Sequence, residues 1–352
     1  MPQRKYQTVL ITGGSGFIGS NFVRYAYHAH PDWRIVNLDL LTYAGNPENL
    51  RDIEAFEDDK PAAQRRYTFV RGDVCGVALL YELFGQHHFD LVVHFAAESH
   101  VDRAIFSDVD FVRTNIEGTR ALIEATRKNG GTRFVYISTD EVYGSIPDGY
   151  ATEDTPFRPS NPYAASKAGA DLLVQSYMKT HSLPAVIVRG SNNYGPYQYP
   201  EKLIPIAITN LIEDKKIPVH GTGEQSRSWL HVDDFCRAVD IAVHAALDYG
   251  IYNVAGEERT NLEVLELLAR HLGKNLRDHR EHINDRPGGD FRYASDASRI
   301  EQELGWSRRY AFEEGIQQVV RWYTDNQPWW QPIRLKKGFV EHYERQSNGQ
   351  WC

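Results

Sequence analysis

Near its start the chain reads Thr8-Val9-Leu10-Ile11-Thr12-Gly13-Gly14-Ser15-Gly16-Phe17-Ile18-Gly19, an apolar run followed at once by a glycine-rich turn. The apolar run predicts a buried strand, and the residues after the turn predict a helix. Glycines at positions 13, 16 and 19 permit a tight turn and a close approach of the backbone to a bound pyrophosphate. The stretch therefore predicts a strand, a phosphate-binding turn and a helix whose N-terminus faces the phosphates.

Further apolar runs follow at intervals, with helix-period segments such as 118–128 between them. They are rich in Val, Ile, Leu and Phe without alternation, which is typical of parallel strands buried on both faces. Alternating strands and helices predict an α/β fold with a doubly wound parallel sheet of the Rossmann type. The predicted strands are residues 8–12, 34–39, 67–73, 90–95, 133–138 and 185–189.

The length of 352 residues predicts two lobes, because a single core tends to stop growing at about 250–300 residues. After residue 190 the sequence turns to loops rich in Asn, Gly, Pro and Tyr, with helices predicted at 261–272 and 312–325. We expect a dinucleotide-binding domain at 1–190 and a smaller mixed α/β substrate-binding domain at 191–335, with some crossing of the chain between them. The polar stretch 336–352 is predicted to be a surface tail.

Composition excludes several classes of protein. The net charge of −8 argues against a nucleic-acid partner, which usually requires a basic surface. No apolar run approaches the roughly 20 residues that span a bilayer, and no leader sequence is visible, so we expect no membrane association. Three scattered cysteines argue against disulfides and favour the cytoplasm. The 14 histidines form no metal-binding motif, so no metal is expected.

The second predicted strand ends at Asp39, twenty residues after Gly19. An acidic residue at this place accepts hydrogen bonds from a ribose diol and repels a 2′-phosphate. Together with the glycine turn, Asp39 predicts NAD rather than NADP as the cofactor.

Tyr163 and Lys167 stand four residues apart in a segment that begins with Asn161-Pro162, a helix-start signal. On a helix, residues at this spacing share a face. A lysine ammonium beside a phenol favours the phenolate, so we expect a lowered pKa for Tyr163, which makes it a base near neutral pH. The same ammonium can hold the nicotinamide ribose.

These residues resemble the extended short-chain dehydrogenase/reductase family. Ser138-Thr139-Asp140-Glu141-Val142-Tyr143-Gly144, at the end of a predicted strand, resembles the signature of the dTDP-glucose 4,6-dehydratases. Further similar segments cover most of residues 5–330: Thr42-Tyr43-Ala44-Gly45-Asn46, 96–102, Asn115 with Gly118-Thr119, 191–197, 200–205, 285–288 and 303–306.

The resemblance implies dehydration of an NDP-hexose, with dTDP-glucose as the expected substrate and dTDP-4-keto-6-deoxyglucose as the product. It implies that Asp140 is the acid on O6, Glu141 the base at C5 and Tyr163 the base at the 4-hydroxyl, which Thr139 aligns. Adjacent carboxylates repel each other, which lets one of them stay protonated.

Residue by residue, the resemblance also implies the binding sites and, for the assembly, a homodimer. The implied cofactor residues are Gly13, Gly16, Phe17, Ile18, Gly19, Asp39, Asp73, Val74, Ala96, Ala97, Ser99, Thr114, Tyr163, Lys167 and Asn193. The implied nucleotide-sugar residues are Ser99, Thr139, Asn192, Lys202, Leu203, Arg227, Asn261 and Arg286.

Three alternatives are weighed against the dehydratase. Epimerases of this fold carry small residues in place of the Asp-Glu pair, and decarboxylases generally lack the Asp, so Asp140 argues against both. A non-catalytic NAD-binding protein would tend to lose Tyr163 or Lys167, and both are present. Gly289 stands where the family usually has histidine, which leaves the exact nucleotide and hexose open.

Overall fold

The computed structural model describes residues 4–348 and residue 351. This part of the chain contains twelve strands in three sheets. They are β1 (Thr8–Thr12), β2 (Arg34–Asp39), β3 (Tyr67–Arg71), β4 (Leu91–His94), β5 (Arg133–Thr139), β6 (Ala185–Gly190), β7 (Asn192–Tyr194), β8 (Ile217–His220), β9 (Ser226–His231), β10 (Gly250–Val254), β11 (Glu257–Thr260) and β12 (Arg280–Ile283).

Helices fill most of the connections. They are α1 (Phe17–Ala29), α2 (Arg51–Asp58), α3 (Val77–His87), α4 (Val101–Phe106), α5 (Val109–Phe111), α6 (Thr119–Asn129), α7 (Pro162–His181), α8 (Leu203–Ile212), α9 (Val232–Val243), α10 (Asn261–His271), α11 (Leu276–His279), α12 (Ser298–Leu304), α13 (Phe312–Asp325), α14 (Gln327–Arg334) and α15 (Lys337–Ser347). A π-helical stretch, Val112–Gly118, joins α5 to α6.

The main sheet has seven strands in the order β10-β6-β5-β4-β1-β2-β3, and every neighbouring pair is parallel. The order reverses on either side of β1, as in a doubly wound Rossmann sheet. The predicted fold class is confirmed, and the six predicted strands are present with ends that differ by two residues or fewer.

Both faces of this sheet are buried, because successive residues of a strand point to opposite sides. Val9 and Ile11 of β1 belong to an apolar cluster shared with α1 and α9. Leu10 of the same strand belongs to a second cluster, shared with α3, α6 and α7. Burying each such side chain stabilises the fold by roughly 1.5–3 kcal/mol. The continuous apolar runs of the sequence are explained by this two-sided burial.

The second lobe has its own core, in which α8, α10 and α13 pack against Trp229 of β9 and against β8. Its small sheets have the orders β11-β9-β7 and β12-β8. The predicted helix at 261–272 is α10, which begins with a capping box formed by Thr260 and Glu263. Between the two halves of this lobe, α9 and β10 return to the main sheet. No helix of residues 4–348 has the length and apolar character needed to cross a membrane.

The stretch predicted to be a C-terminal tail contains α15, which packs on the protein. Its Phe339 is buried in a cluster with Tyr199 and Ile333. Phe339 and Tyr343 stand four residues apart and therefore form one apolar face on an otherwise polar helix. Two aromatic residues in a polar stretch are too weak a pattern to identify this helix from the sequence. Residues 349, 350 and 352 of the predicted tail, and residues 1–3, lie outside the described residues.

Candidate active site

A cavity lies along the carboxyl ends of the main-sheet strands, where open α/β sheets bind ligands. Its walls come from the loops that follow β1, β2, β3, β4 and β5, and from α7. All fifteen implied cofactor residues line it: Gly13, Gly16, Phe17, Ile18, Gly19, Asp39, Asp73, Val74, Ala96, Ala97, Ser99, Thr114, Tyr163, Lys167 and Asn193.

The glycine turn leaves no room for side chains. Gly13 has a φ of +70°, and a Cβ there would lie 2.5 Å from the backbone nitrogen of Ala96. A Cβ on Gly19 would overlap the carbonyl oxygen of Gly13. The turn therefore needs glycine at both positions, and it brings the N-terminus of α1 to the cavity wall, where free N–H groups favour phosphate.

Asp39 is fixed at the end of β2 by backbone N–H groups. Its Oδ2 accepts from Ser15 N at 2.9 Å and its Oδ1 from Leu41 N at 2.8 Å. Burial raises the pKa of the Asp39 carboxyl, while these two bonds oppose that effect. Each oxygen keeps a lone pair that a ribose hydroxyl can use. Asp73 is held in a similar way, by Cys75 N at 2.8 Å and by Arg113.

The Thr139-Asp140-Glu141 segment ends β5 with a single 3-10 turn, in which Thr139 Oγ1 accepts from Glu141 N at 3.3 Å. Asp140 is 3% exposed, and its Oδ2 has no hydrogen-bond partner among the described residues. Burial raises the pKa of Asp140 to about 8, and the neighbouring Glu141 adds to the effect, whereas Arg227 opposes it. Asp140 is therefore protonated near neutral pH.

Tyr163 and Lys167 lie on the first turns of α7, which Asn161 caps by accepting from Ala164 N at 2.9 Å. Lys167 Nζ donates to the Ile137 carbonyl at 2.7 Å, and burial lowers the pKa of this amine to about 7. The expected lowering of the Tyr163 pKa is wrong for this structure. Burial raises the pKa of the phenol, the neighbouring Glu141 adds to the effect, and Thr139 opposes it.

A second cavity adjoins the first and is lined mainly by the second lobe. Glu141, Asn192 and Lys202 line both cavities, so the two cavities meet at Glu141, next to Asp140, which lines the first. Of the implied nucleotide-sugar residues, Ser99 and Thr139 line the first cavity only. The other implied nucleotide-sugar residues, which line the second cavity only, are Leu203, Arg227, Asn261 and Arg286. The fold thus brings all of the implied site residues together.

Two guanidinium groups in the second cavity are held rigidly. Arg286 donates to Asp102 Oδ1 at 2.8 Å, and this carboxylate is fully buried, with a pKa that Arg286 holds below its usual range although burial opposes it. Arg227 donates to the carbonyls of Ser226 at 2.7 Å and Asp290 at 2.8 Å. Fixed guanidinium groups suit a diphosphate, because their planar donors match phosphate oxygens.

Three cavity residues, and Tyr293, which lines neither cavity, were not identified as site residues in the sequence. Glu201 and Asp102 fall within family-like segments, and Glu201 accepts from Arg103 at 3.1 Å. Burial raises the pKa of Glu201 to about 7. Gln346 of α15 lines the second cavity and donates to Asp102 Oδ2 at 2.7 Å. Tyr293, the fourth, contacts Glu141. No local pattern in the sequence marks the last two.

The first cavity fits a dinucleotide. Besides the glycine turn, it presents buried polar atoms without partners among residues 4–348: Ser138 Oγ, Asp140 Oδ2 and Asn193 Oδ1. Buried polar atoms are usually hydrogen-bonded, so these atoms favour a polar ligand in the cavity.

Two clusters among the described residues bring possible metal ligands together, but both are already hydrogen-bonded. In the first, His30 Nε2 is 2.7 Å from Asp240 Oδ1, and His244 Nδ1 is 2.9 Å from the Asp240 carbonyl. In the second, which contains His100 and His342, both oxygens of Asp102 accept from other side chains. The absence of a metal stays a prediction.

Comparison with known proteins identifies the family of the chain. Residues 10–319 match the family model described as GDP-mannose 4,6 dehydratase. A dTDP-glucose 4,6-dehydratase of Streptomyces niveus is 46% identical over 331 residues, which cover 93% of this chain and 95% of that protein. The dTDP-glucose 4,6-dehydratase of Escherichia coli is 42% identical, and the alignment covers 92% of this chain and 96% of that protein.

Solved structures give the same result. The dTDP-glucose 4,6-dehydratase DesIV from Streptomyces venezuelae, solved with NAD bound, has a TM-score of 0.87 and 43% identity, with coverage of 93% of this chain and 99% of that chain. A UDP-glucose 4-epimerase from Thermus thermophilus, in complex with NAD, has a TM-score of 0.81 and 29% identity, with 91% and 99% covered. The predicted resemblance is confirmed, and the chain belongs to the family of the dTDP-glucose 4,6-dehydratases.

Proposed function

We propose that the chain is an NAD-dependent hydro-lyase that converts dTDP-glucose to dTDP-4-keto-6-deoxyglucose and water. The observation that carries this proposal is Asp140, a buried carboxyl with a pKa of about 8 that lies beside Glu141 at the junction of the two cavities. Elimination of water across C5 and C6 needs one protonated and one ionised carboxyl group.

In this proposal Tyr163 takes the proton of the sugar 4-hydroxyl, and Thr139 aligns that hydroxyl. A hydrogen bond with Thr139 lowers the pKa of Tyr163, against the effect of burial. Bound NAD⁺ would supply the acceptor for the hydride that leaves C4. Lys167 holds the nicotinamide ribose, and Asp39 holds the adenosine ribose.

The two adjacent carboxyl groups then divide the elimination. Glu141 removes the proton at C5, which the 4-ketone has made acidic. Asp140 donates its proton to O6, so that the C6–O6 bond breaks and water leaves. Asp140 suits the acid role because burial keeps it protonated, and its Oδ2 has no other partner among residues 4–348.

The second cavity binds the dTDP part of the substrate. Arg227 and Arg286 pair with the diphosphate, and Lys202, whose Nζ donates to the Ser99 carbonyl at 2.9 Å, adds a third positive charge. Leu203 stands at the first position of α8, where free N–H groups favour anions. Asn261 stands at the first position of α10 and lines the same cavity. Asn192 contacts the sugar between the two cavities.

We propose a homodimer formed through α7 and the helices that pack beside it. Leu172 on α7 is 55% exposed, and Val109 at the start of α5 is 67% exposed. Exposed apolar side chains on neighbouring helices are typical of a subunit interface. Replacement of Leu172 by Asp should yield monomers in light scattering, whereas a chain that is already monomeric contradicts the dimer.

A cytoplasmic location agrees with the free thiols of Cys75 and Cys236.

The direct test incubates the purified protein with dTDP-glucose, without added NAD⁺, and follows the absorbance that alkali induces in a 4-keto-6-deoxy sugar. We expect a signal, because the hydrogen taken from C4 returns to C6 and bound NAD⁺ is not consumed. Asp148→Asn, which removes an exposed carboxyl, should match the wild type, and Asp140→Asn should be silent. Silence of the wild type with added NAD⁺ and with UDP-, CDP- and GDP-hexoses would overturn the proposal, and a 4-epimer as the product would favour the epimerase.

A further inference from the structure

A hydrogen-bond chain lies behind Glu141, on the side of the second lobe, and its members Tyr293 and Asp290 are buried. The hydroxyl of Tyr293 is 3.3 Å from Glu141 Oε2 and 2.8 Å from Asp290 Oδ2. Ser160 donates to the same oxygen of Asp290. Tyr293 is 2% exposed and does not line either cavity, so it is not placed to touch a ligand.

We propose that Tyr293 is a positioning residue for Glu141, which it holds toward C5 of the sugar in both protonation states of the carboxyl group. The proposal rests on the function proposed above, in which Glu141 is the base at C5.

The phenol serves both states because it carries one proton and stands between two carboxyl groups. While Glu141 is ionised, the hydroxyl of Tyr293 donates to Oε2. When the C5–H bond breaks, its electron pair stays on the sugar and the proton forms an O–H bond on Glu141. That new O–H group donates to the Tyr293 oxygen, while the phenolic proton turns to Asp290. The O–H group of Glu141 later turns back and returns its proton to C5, and the phenolic proton turns back to Oε2.

The surroundings keep Tyr293 still while its proton turns. The guanidinium carbon of Arg227 lies 4.4 Å from the centre of the Tyr293 ring, and Tyr293 N donates to the Ser226 carbonyl at 3.2 Å. Arg227 also donates to the Asp290 carbonyl at 2.8 Å. The ring and its acceptor are thus fixed to β9, which also carries Arg227.

The same chain connects Glu141 to the helix that carries the other base. Ser160, which binds Asp290, stands three residues before Tyr163 and next to Asn161, the cap of α7. Asp290 therefore binds both the phenol that contacts Glu141 and the residue that precedes the cap of α7. A base that must meet a single C–H bond gains from such fixation, because small displacements from the reactive geometry slow proton transfer.

The test is Tyr293→Phe, which keeps the ring over Arg227 and removes only the hydroxyl. We expect kcat to fall roughly tenfold, as for the loss of one hydrogen bond to a charged group, with a KM for dTDP-glucose within about twofold of the wild type. The kinetic isotope effect from deuterium at C5 should rise, because proton removal becomes slower than the other steps. Tyr252→Phe is the matched control: this buried phenol donates to Glu303 Oε2 at 3.1 Å, away from the cavities, and its loss should change neither quantity.

Thermal melting checks that each variant folds. If Tyr293→Phe does not fold, Asp290→Asn is the substitute test. The amide binds the Tyr293 hydroxyl less strongly than the carboxylate does. We expect a fall in kcat smaller than that expected for Tyr293→Phe, again with a rise of the isotope effect. An unchanged isotope effect overturns the inference, whether kcat is unchanged or KM alone rises. Glu141→Gln separates failure of the proposed function from failure of the role of Tyr293. If Glu141→Gln keeps full turnover, the proposed function is wrong. If Glu141→Gln is inactive while Tyr293→Phe matches the wild type, only the role of Tyr293 is wrong.

Discussion

Replacement of Asp140 by Asn should change how the stability of the protein depends on pH. Burial raises the pKa of this carboxyl from 3.8 to about 8, so above about pH 4 the unfolded chain releases a proton that the folded chain keeps. Stability falls with pH wherever the folded state binds more protons, by about 1.4 kcal/mol for each pH unit. Between about pH 4 and pH 8 the wild type should therefore lose on the order of 3–5 kcal/mol that the Asn variant does not lose.

The measurement is the melting temperature of both proteins, without substrate, at a series of pH values. One kcal/mol corresponds to about 2 °C in melting temperature. The melting temperature of Asp140→Asn should therefore rise relative to that of the wild type by roughly 5–10 °C between about pH 4 and about pH 8. Above about pH 8 the difference should stay constant. A constant penalty from the buried amide does not affect this trend. Asp148→Asn, at an exposed position, is the control for loss of a carboxyl. A gap that does not change with pH would show that Asp140 is ionised in the folded protein, and would remove its role as the acid.

Three further perturbations have defined outcomes. Gly13→Ala should abolish retention of NAD, measured as the nucleotide released by heat, because a Cβ would meet the backbone of Ala96 at 2.5 Å and φ is +70°; retention at the wild-type level would contradict the tight turn. Asp39→Ala should weaken NAD binding about tenfold and reduce the ratio of the affinities for NAD and NADP, both measured by titration of cofactor-free protein. An unchanged ratio would rule out a contact of Asp39 with the ribose. Arg286→Lys should raise the KM for dTDP-glucose roughly tenfold with kcat within about threefold, and an unchanged KM would remove Arg286 from the diphosphate site.

The sequence predicts the first lobe well because its signals are local. The glycine turn, the strand runs and the Asn-Pro start of α7 each lie within a few consecutive residues, and backbone sterics and burial act at that range. The structure also brings together every site residue that the resemblance implies.

The remainder of the site depends on contacts between distant parts of the chain. Asp102 meets Arg286 across 184 residues and Gln346 across 244, and no periodicity in the sequence encodes such pairs. The raised pKa of Tyr163 has a similar origin, since it depends on burial against distant residues such as Val101 and Phe111. Spacing alone places Lys167 near Tyr163, but it does not show that the ammonium donates to Ile137.

In the proposed mechanism the adjacent carboxyl groups take different roles, because the turn after β5 sends them into different surroundings. The side chain of Asp140 is buried at the end of β5, where its Oδ2 meets no donor among the described residues. This burial favours the neutral form of the carboxyl group. Glu141, one residue later, faces the second lobe, where Tyr293 can donate to it. Two neighbouring residues of the same chemical class can thus serve as the proposed acid and the proposed base. The pair therefore needs the second lobe as much as the sheet, because the sheet supplies the burial that keeps Asp140 neutral, and the segment 290–293 supplies the donor for Glu141.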